Sequence, residues 1–264
     1  MDSILLVGCG NMGGAMLAGW LAAGLDPSRF TVVDPVLAEA PQGVELLREL
    51  PHRQFDAILV GVKPQILDDV APSIAALAGS GTTILSLLAG VELASLAARF
   101  PEAKGHVRIM PNLSVAIGKA PVALVASGLD EGERDAVTAL MQPLGTPEWL
   151  AGEELFDLVT ALAGSGPAFV YRYIDALASG AAALGLPQDQ SQRLALAMVE
   201  GASLLAAASP HSPAELARRV ASPGGTTQAG LDVLDANSAL AGLVEDTLRA
   251  ARDRSGEMAR AARK

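Results

Sequence analysis

Short apolar runs alternate with longer helical patterns over the first half of the chain. The runs Ile4–Val7 and Phe30–Val33 are apolar throughout, which is typical of buried parallel strands. Further apolar runs lie at 55–62, 83–88, 106–110, 122–125 and 148–150, and helical patterns lie at 15–23, 66–78, 92–99 and 131–142. This alternation predicts an α/β fold with a doubly wound sheet of the Rossmann type.

The pattern changes after residue 154, where the strand signals stop. Helical stretches are predicted at 155–163, 168–184, 189–208, Pro213–Val220 and 229–264. The segment Gly164-Ser165-Gly166-Pro167 marks either a kink or a fresh helix start between the first two stretches. We therefore predict a Rossmann dinucleotide-binding domain at 1–154 and an all-helical C-terminal domain at 155–264.

A glycine-rich turn joins the first predicted strand to the first helix. Gly8-Cys9-Gly10-Asn11-Met12-Gly13 has the spacing G-x-G-x-x-G, and Asp34 follows a second strand at about the 20-residue spacing of a ribose-binding acid. Gly8 permits the tight turn, Gly10 lets the backbone approach a pyrophosphate, and Gly13 lets the helix pack on the strand. Asp34 would repel a 2′-phosphate and therefore favours NADH; the alternative is a solvated aspartate at a strand end.

Two further predicted strands end in residues that suit the crevice of a dinucleotide-binding sheet. Lys63-Pro64 follows one strand, and Pro111-Asn112 follows another. Lys63 either contacts a cofactor or caps the sheet edge. Asn112 either forms a hydrogen bond with nicotinamide or closes the turn at Pro111.

A second glycine-rich turn lies in the helical half, at Ser222-Pro223-Gly224-Gly225-Thr226-Thr227. Its free backbone N–H groups and the positive end of the following helix suit a small anion such as a carboxylate. The alternative is an ordinary Pro-Gly turn with a threonine N-cap.

Composition narrows the choice of partners. Half of the 264 residues are hydrophobic but only 3% are aromatic, so Ala, Leu and Val must form the core, and small side chains favour close helix–helix contact and a subunit interface. The net charge of −10 argues against nucleic acid or an anionic membrane as a partner. Cys9 is the single cysteine, which excludes an internal disulfide, and with no secretory signal at its start the chain is expected to be cytoplasmic.

The helical half lacks the residues of a conventional proton donor or metal site. Beyond Lys119 the only lysine is Lys264, and no His, Cys or carboxylate pair has metal-ligand spacing on one helix face. Reduction of a ketone normally needs a positioned proton donor, whereas reduction of a protonated C=N bond needs only a positioned substrate and nicotinamide. Two alternatives remain: a hydroxy-acid dehydrogenase, which would need a lysine in its helical domain, and a reductase-like accessory protein that binds nucleotide without turnover.

Several motifs together resemble one known family along the full length of the chain, the pyrroline-5-carboxylate reductases. The matching segments are 8–13, 62–64, 86–91, 108–112, 163–168 and 221–227. The last two are the specific ones, because many reductases share the glycine fingerprint.

The resemblance implies an activity and an assembly. Members of the family transfer hydride from NADPH or NADH to the C=N bond of 1-pyrroline-5-carboxylate and so form L-proline, in the last step of proline biosynthesis. Their helical domain interlocks with that of a second subunit to form a homodimer, and some members assemble further into decamers.

The resemblance also implies site residues. The Ser222–Thr227 loop would bind the substrate carboxylate through backbone N–H groups, and the hydroxyl of Thr227, the predicted catalytic residue, would face the ring nitrogen. The implied cofactor-binding residues are Val7, Gly8, Cys9, Gly10, Asn11, Met12, Gly13, Asp34, Val62, Lys63, Pro64, Leu87, Leu88, Ala89 and Asn112, and the implied substrate-binding residues are Ser222, Gly224, Gly225, Thr226 and Thr227.

Overall fold

The computed structural model describes residues 1–262, so the last two residues of the helical stretch predicted at 229–264 lie outside the described residues. The chain forms two compact units: one joins Met1–Ser165 with the segment from Ala250 onward, and the other is Gly166–Arg249. These units meet at Ser165, whereas the predicted boundary follows residue 154. The division into functional domains at 1–154 and 155–264 stays a prediction.

The first unit contains one eight-stranded sheet, which confirms the predicted doubly wound architecture. The strand order is β3-β2-β1-β4-β5-β6-β7-β8, and its first six strands have the order of a dinucleotide-binding sheet. All neighbouring strands are parallel except β6 and β7, which are antiparallel. The strands are β1 Ile4–Val7, β2 Phe30–Val33, β3 Glu45–Leu47, β4 Ala57–Val60, β5 Thr83–Ser86, β6 Gly105–Met110, β7 Ala120–Ser127 and β8 Gly145–Trp149.

Helices cover both faces of the sheet, and the described elements that follow β8 are all helical. Two clusters of buried aliphatic side chains fill the first unit, and Trp20 stacks on Phe30 within one of them at 5.2 Å between ring centroids. The Trp20 indole N–H donates to the backbone oxygen of Leu140, 2.7 Å away, which satisfies its polar atom inside the core. The helices are α1 Asn11–Ala22, α2 Leu67–Ala75, α3 Leu93–Arg99, α4 Glu131–Met141, α5 Phe156–Val159, α6 Gly166–Ala183, α7 Gln188–Ala208, α8 Pro213–Val220, α9 Thr226–Asp235 and α10 Ala239–Ala262.

Two local features differ from the sequence-based prediction. Strand β3 is not predicted, because only three half-exposed or exposed residues form it. The continuous helix predicted from residue 229 is instead two helices, because Asn237 and Ser238 have φ values of 53° and 57°. A positive φ cannot continue a right-handed helix, so the chain turns there between α9 and α10.

The segment predicted as a kink or a fresh start contains both a distortion and a new helix. Residues Thr160–Gly164 form one π-helical turn, and α6 then begins at Gly166 with Pro167 in its first turn. Proline is favoured at this place because its missing N–H would have no partner in the first turn.

The second unit leaves many apolar side chains exposed in the single chain. Leu184 is 91% exposed, Val233 72% and Leu243 66%. The composition of the chain predicts that such aliphatic side chains form close contacts between helices. So much exposed apolar surface is typical of a subunit interface. Through residue 262 no single helix is both long and apolar enough to span a membrane; α7 and α8 reach the criteria only as a pair, bent by 119°.

Candidate cofactor and substrate sites

The glycine-rich turn lies at the point where the sheet order reverses, between β1 and β4. A Cβ added at Gly8, whose φ is +86°, would lie 3.0 Å from the backbone of Gly61, and one added at Gly61 would lie 2.9 Å from the backbone oxygen of Gly8. The two chain segments therefore approach each other as closely as only glycines allow. In open α/β sheets this reversal point is where ligands bind.

Gly10 has a different reason for lacking a side chain. A Cβ added there would meet no atom within 4 Å, and its φ of −70° is open to any residue. Gly10 caps α1, whose first backbone N–H groups receive no side-chain cap and no acidic residue in the first turn. Open space in front of free N–H groups fits the pyrophosphate of a dinucleotide.

Asp34 follows β2 and fixes the glycine-rich turn from the neighbouring strand. Its Oδ2 accepts a hydrogen bond from the N–H of Cys9 at 2.8 Å, and its Oδ1 accepts from the N–H groups of Val36 and Leu37 at 2.8 and 3.0 Å. Partial burial opposes the charge, but the three hydrogen bonds, together with the nearby positive charge of Arg48, outweigh it and hold the pKa of Asp34 below its usual value. Asp34 is therefore ionised and already well supplied with donors.

The thiol of Cys9 lies inside this arrangement. The residue is 8% exposed. Burial, and secondarily the negative charge of Asp34, raises the pKa of the Cys9 thiol. The thiol is therefore protonated at neutral pH, and it packs as an apolar side chain.

The turn after β5 presents the predicted residues Leu87, Leu88 and Ala89 at the same sheet edge. Leu88 is buried and Ala89 is exposed. Gly90 follows with a φ of +76°, and a Cβ added there would lie 3.1 Å from the Cα of Ala259 in α10. The end of the last described helix thus supports this turn directly.

The remaining predicted cofactor residues differ in how the chain already uses them. Val62 packs partly against the core, while Lys63 is exposed and Pro64 opens a short helical turn. Asn112 is 6% exposed; its Nδ2 donates to the backbone oxygen of Ala163 at 2.9 Å and its Oδ1 accepts from the N–H of Ser114 at 2.9 Å. These bonds match the turn-closing alternative for Asn112, and a nicotinamide contact stays a prediction.

The second glycine-rich turn leads directly into a helix that has no side-chain cap. The N–H of Gly225 donates to the backbone oxygen of Ser222 at 2.9 Å, with Pro223 and a Gly224 of φ +70° between them. Proline followed by a glycine of positive φ is the requirement of a type II turn. The ten-residue helix α9 starts at Thr226 directly afterwards, with no side-chain cap and no acid in its first turn.

Comparison with known proteins identifies the family. The chain is 32% identical over 264 residues to the pyrroline-5-carboxylate reductase of Pseudomonas aeruginosa, covering 97% of this chain and 96% of that protein. It is 37% identical over 237 residues to the enzyme of Aquifex aeolicus, covering 87% and 88%. The chain belongs to the pyrroline-5-carboxylate reductase family.

The fold and the helical half agree with this assignment. A solved pyrroline-5-carboxylate reductase from Coxiella burnetii superposes with a TM-score of 0.90 at 28% identity, covering 97% of this chain and 98% of that one. The family model described as pyrroline-5-carboxylate reductase dimerisation matches residues 153–258. The exposed apolar side chains of the second unit lie within this segment, so the dimerisation match supports a homodimer.

Arg48 lies near the predicted cofactor site, although the sequence does not predict it as a site residue. Arg48 directly follows β3, and its Nη1 donates to the backbone oxygens of Asp34 at 2.8 Å and Leu37 at 2.6 Å. The only sequence signal for it is the short apolar run that precedes it, which is too short to predict a strand. In the part of the chain that the structure describes, no three His, Cys, Asp or Glu residues are placed to hold a metal ion.

Proposed function

We propose that this chain is a pyrroline-5-carboxylate reductase, which reduces the C=N bond of 1-pyrroline-5-carboxylate and forms L-proline in the last step of proline biosynthesis. The likeness to the Pseudomonas aeruginosa enzyme over 97% of the chain carries the proposal. Because that likeness covers nearly the whole chain, it includes both the proposed cofactor site and the proposed substrate site.

The cofactor is NADPH or NADH, bound at the glycine-rich turn between β1 and α1. When bound, the reduced nicotinamide supplies a hydride for the imine carbon. The N–H groups at the start of α1 would hold the pyrophosphate above Gly10, and the turn Leu87–Ala89 would contact the nicotinamide half. Asp34 favours NADH, because its charge would repel a 2′-phosphate.

The substrate carboxylate is bound at the start of α9. The N–H groups of Thr226 and Thr227 suit an anion, and the positive end of the helix dipole favours it by about 0.3–1 kcal/mol. The Thr227 hydroxyl is assigned to the ring nitrogen, which it would hold by a hydrogen bond. A protonated imine accepts hydride without a further proton donor, so the chain needs to supply position rather than acid catalysis.

The helical segment 155–264 would complete the enzyme as a homodimer, and sedimentation velocity measures whether these dimers assemble further. Acidic net charge argues against nucleic acid as a partner. A single unpaired cysteine fits a reducing compartment such as the cytoplasm.

The test is steady-state oxidation of NADH and, separately, of NADPH with racemic 1-pyrroline-5-carboxylate. Turnover with either cofactor supports the reductase, and the ratio of the two kcat/KM values measures the preference that Asp34 predicts. A protein that binds nucleotide but turns over with neither cofactor would instead be an accessory protein. Growth of a proline auxotroph on expression of the chain gives an independent readout.

A further inference from the structure

Arg48 lies where the adenosine end of a dinucleotide meets this type of sheet. The N–H of Asp34 donates to the backbone oxygen of Leu47, so the residue after β3 lies beside the residue after β2. The carboxyl ends of parallel strands share one edge, and the loop after β2 is the one that faces the adenosine ribose. Arg48 therefore lies at the ribose end of the site, although 14 residues separate it from Asp34.

The guanidinium of Arg48 is fixed in place but is only partly used. Its Nη1 donates to two carbonyls of the loop after β2, and its Nη2 lies 3.5 Å from the carbonyl of Ala38. A guanidinium has five N–H donors, so these contacts leave donors for another acceptor. Arg48 is exposed, which leaves those donors accessible to a ligand.

Asp34 by contrast has little capacity left. A carboxylate has about four acceptor positions, and three are used by the N–H groups of Cys9, Val36 and Leu37. Asp34 thus first holds the glycine-rich turn against the loop after β2. The negative charge of Asp34 is held inward by these bonds, whereas the positive charge of Arg48, which follows β3, is exposed.

We propose that Arg48 is the residue through which this protein binds the 2′-phosphate of NADPH. The inference rests on the proposed reductase function for its biological meaning, but the binding it describes does not require turnover. A fixed guanidinium binds a phosphate dianion through charge-assisted hydrogen bonds, which are about twice as strong as neutral ones. The ends of β2 and β3 then carry one group for each cofactor: Arg48 for NADPH and Asp34 for NADH.

Arg53 offers a matched control beside the same two strands, β2 and β3. Its Nη2 donates to the hydroxyl of Thr31 at 2.8 Å and pairs with Glu45, and its guanidinium lies 5.1 Å from the centre of the Phe55 ring. Thr31 and Glu45 face each other across β2 and β3, away from the carboxyl ends of these strands. Arg53→Gln therefore removes a similar exposed cation without touching the loop after β2.

Calorimetric titration with ADP-ribose and with 2′-phospho-ADP-ribose tests the proposal. These ligands lack nicotinamide, so the result is independent of hydride transfer and stays interpretable if the reductase assay fails. Arg48→Gln should raise the Kd for 2′-phospho-ADP-ribose by at least about tenfold and change the Kd for ADP-ribose by less than about threefold. Arg48→Lys, which keeps the charge, should recover part of the loss, and Arg53→Gln should bind both ligands as the wild type does.

Two results would overturn the proposal. Equal weakening of both ligands by Arg48→Gln would mean that Arg48 only clamps the loop. Unchanged binding of 2′-phospho-ADP-ribose would mean that the guanidinium does not reach the phosphate. Thermal unfolding of each variant identifies any substitution that simply disorders the protein, and Arg48→Lys then decides the question because it retains the charge.

Discussion

The guanidinium of Arg108 donates a hydrogen bond to Glu153, 2.7 Å away, from a side chain that is only 5% exposed. The same Glu153 oxygen accepts from the N–H of Leu93 at 2.8 Å, at the start of α3. The Arg108 guanidinium also lies 3.8 Å from the centre of the Phe156 ring. Glu153 thus joins β6 to α3 through one oxygen and neutralises a buried cation.

Removing Glu153 should therefore destabilise the protein. Glu153→Ala leaves the Arg108 charge buried without its partner, and we expect the free energy of unfolding to fall by about 2–3 kcal/mol, below the usual loss for a fully buried pair because Glu153 is 29% exposed. Glu102→Ala, at an exposed position away from this cluster, should change it by less than about 0.5 kcal/mol. Urea denaturation at one fixed protein concentration measures both, since dimer stability depends on concentration.

A double-mutant cycle isolates the pair itself. The cycle uses Arg108→Met, which fills the space beside Phe156, and Glu153→Gln, which keeps an acceptor for Leu93. The double variant should lose less unfolding free energy than the sum of the losses of the two single variants, by at least about 1 kcal/mol. Strictly additive losses would show that the two side chains do not stabilise each other.

Gly10 and Gly13 should respond in opposite ways to the same substitution. Gly10→Ala adds a methyl group that meets no protein atom within 4 Å, so the free energy of unfolding should stay within about 1 kcal/mol while the Kd for NADH rises by at least about tenfold. Gly13→Ala puts a Cβ 3.0 Å from the backbone oxygen of Gly8 and should cost about 1–3 kcal/mol of stability. Fluorescence titration with NADH and thermal unfolding separate the two effects. A Gly10→Ala variant that binds NADH normally would contradict the placement of the pyrophosphate.

Local spacing made the glycine-rich turn between β1 and α1 predictable. Strand β3 and Arg48 could not be predicted, because they depend on tertiary pairing. Gly8, Gly10 and Gly13 are close in sequence: Gly8 and Gly13 lie against neighbouring backbone, and Gly10 leaves open space at the start of α1. Strand β3 exists because Glu45 and Leu47 pair with β2, and nothing within its three residues distinguishes it from a loop. The position of Arg48 beside Asp34 follows from that pairing and is therefore invisible in the sequence.

The break between α9 and α10 had a local sequence signal, but the helical pattern around it led to the prediction of one continuous helix. Asn237 adopts a positive φ in the middle of a segment that consists mostly of Ala, Leu, Val and short polar residues. Asn is among the few residues that tolerate this conformation, so Asn237 was a candidate break. The bond between Glu153 and Leu93 has no such signal, because it joins residues 60 positions apart.

The single cysteine should report on cofactor binding. Because burial and then Asp34 raise the pKa of the Cys9 thiol, little thiolate is present at pH 7.5, and alkylation by iodoacetamide should be slow and accelerate as the pH rises above 9. Asp34→Asn removes one of the two causes and should increase the rate at a given pH. Mass spectrometry of the intact protein follows the reaction, and saturating NADPH should slow it further. Fast alkylation at pH 7.5 in the wild type would contradict the buried, protonated thiol.

Thr227 provides the sharpest test of the substrate site. Thr227→Ala removes the hydroxyl assigned to the ring nitrogen, and kcat/KM for 1-pyrroline-5-carboxylate should fall about 5- to 150-fold, equivalent to about 1–3 kcal/mol for one lost hydrogen bond to a polar partner. The Kd for NADH should not change, because the substitution leaves the glycine-rich turn between β1 and α1 untouched. Thr227→Ser retains a hydroxyl and should recover most of the activity. Thr247→Ala is the matched control, since the Thr247 hydroxyl donates within α10 to the backbone oxygen of Leu243 at 2.7 Å and has no assigned role in the site. Equal kinetics of Thr227→Ala and the wild type would remove this hydroxyl from the mechanism and leave the backbone N–H groups of α9 as the substrate contact.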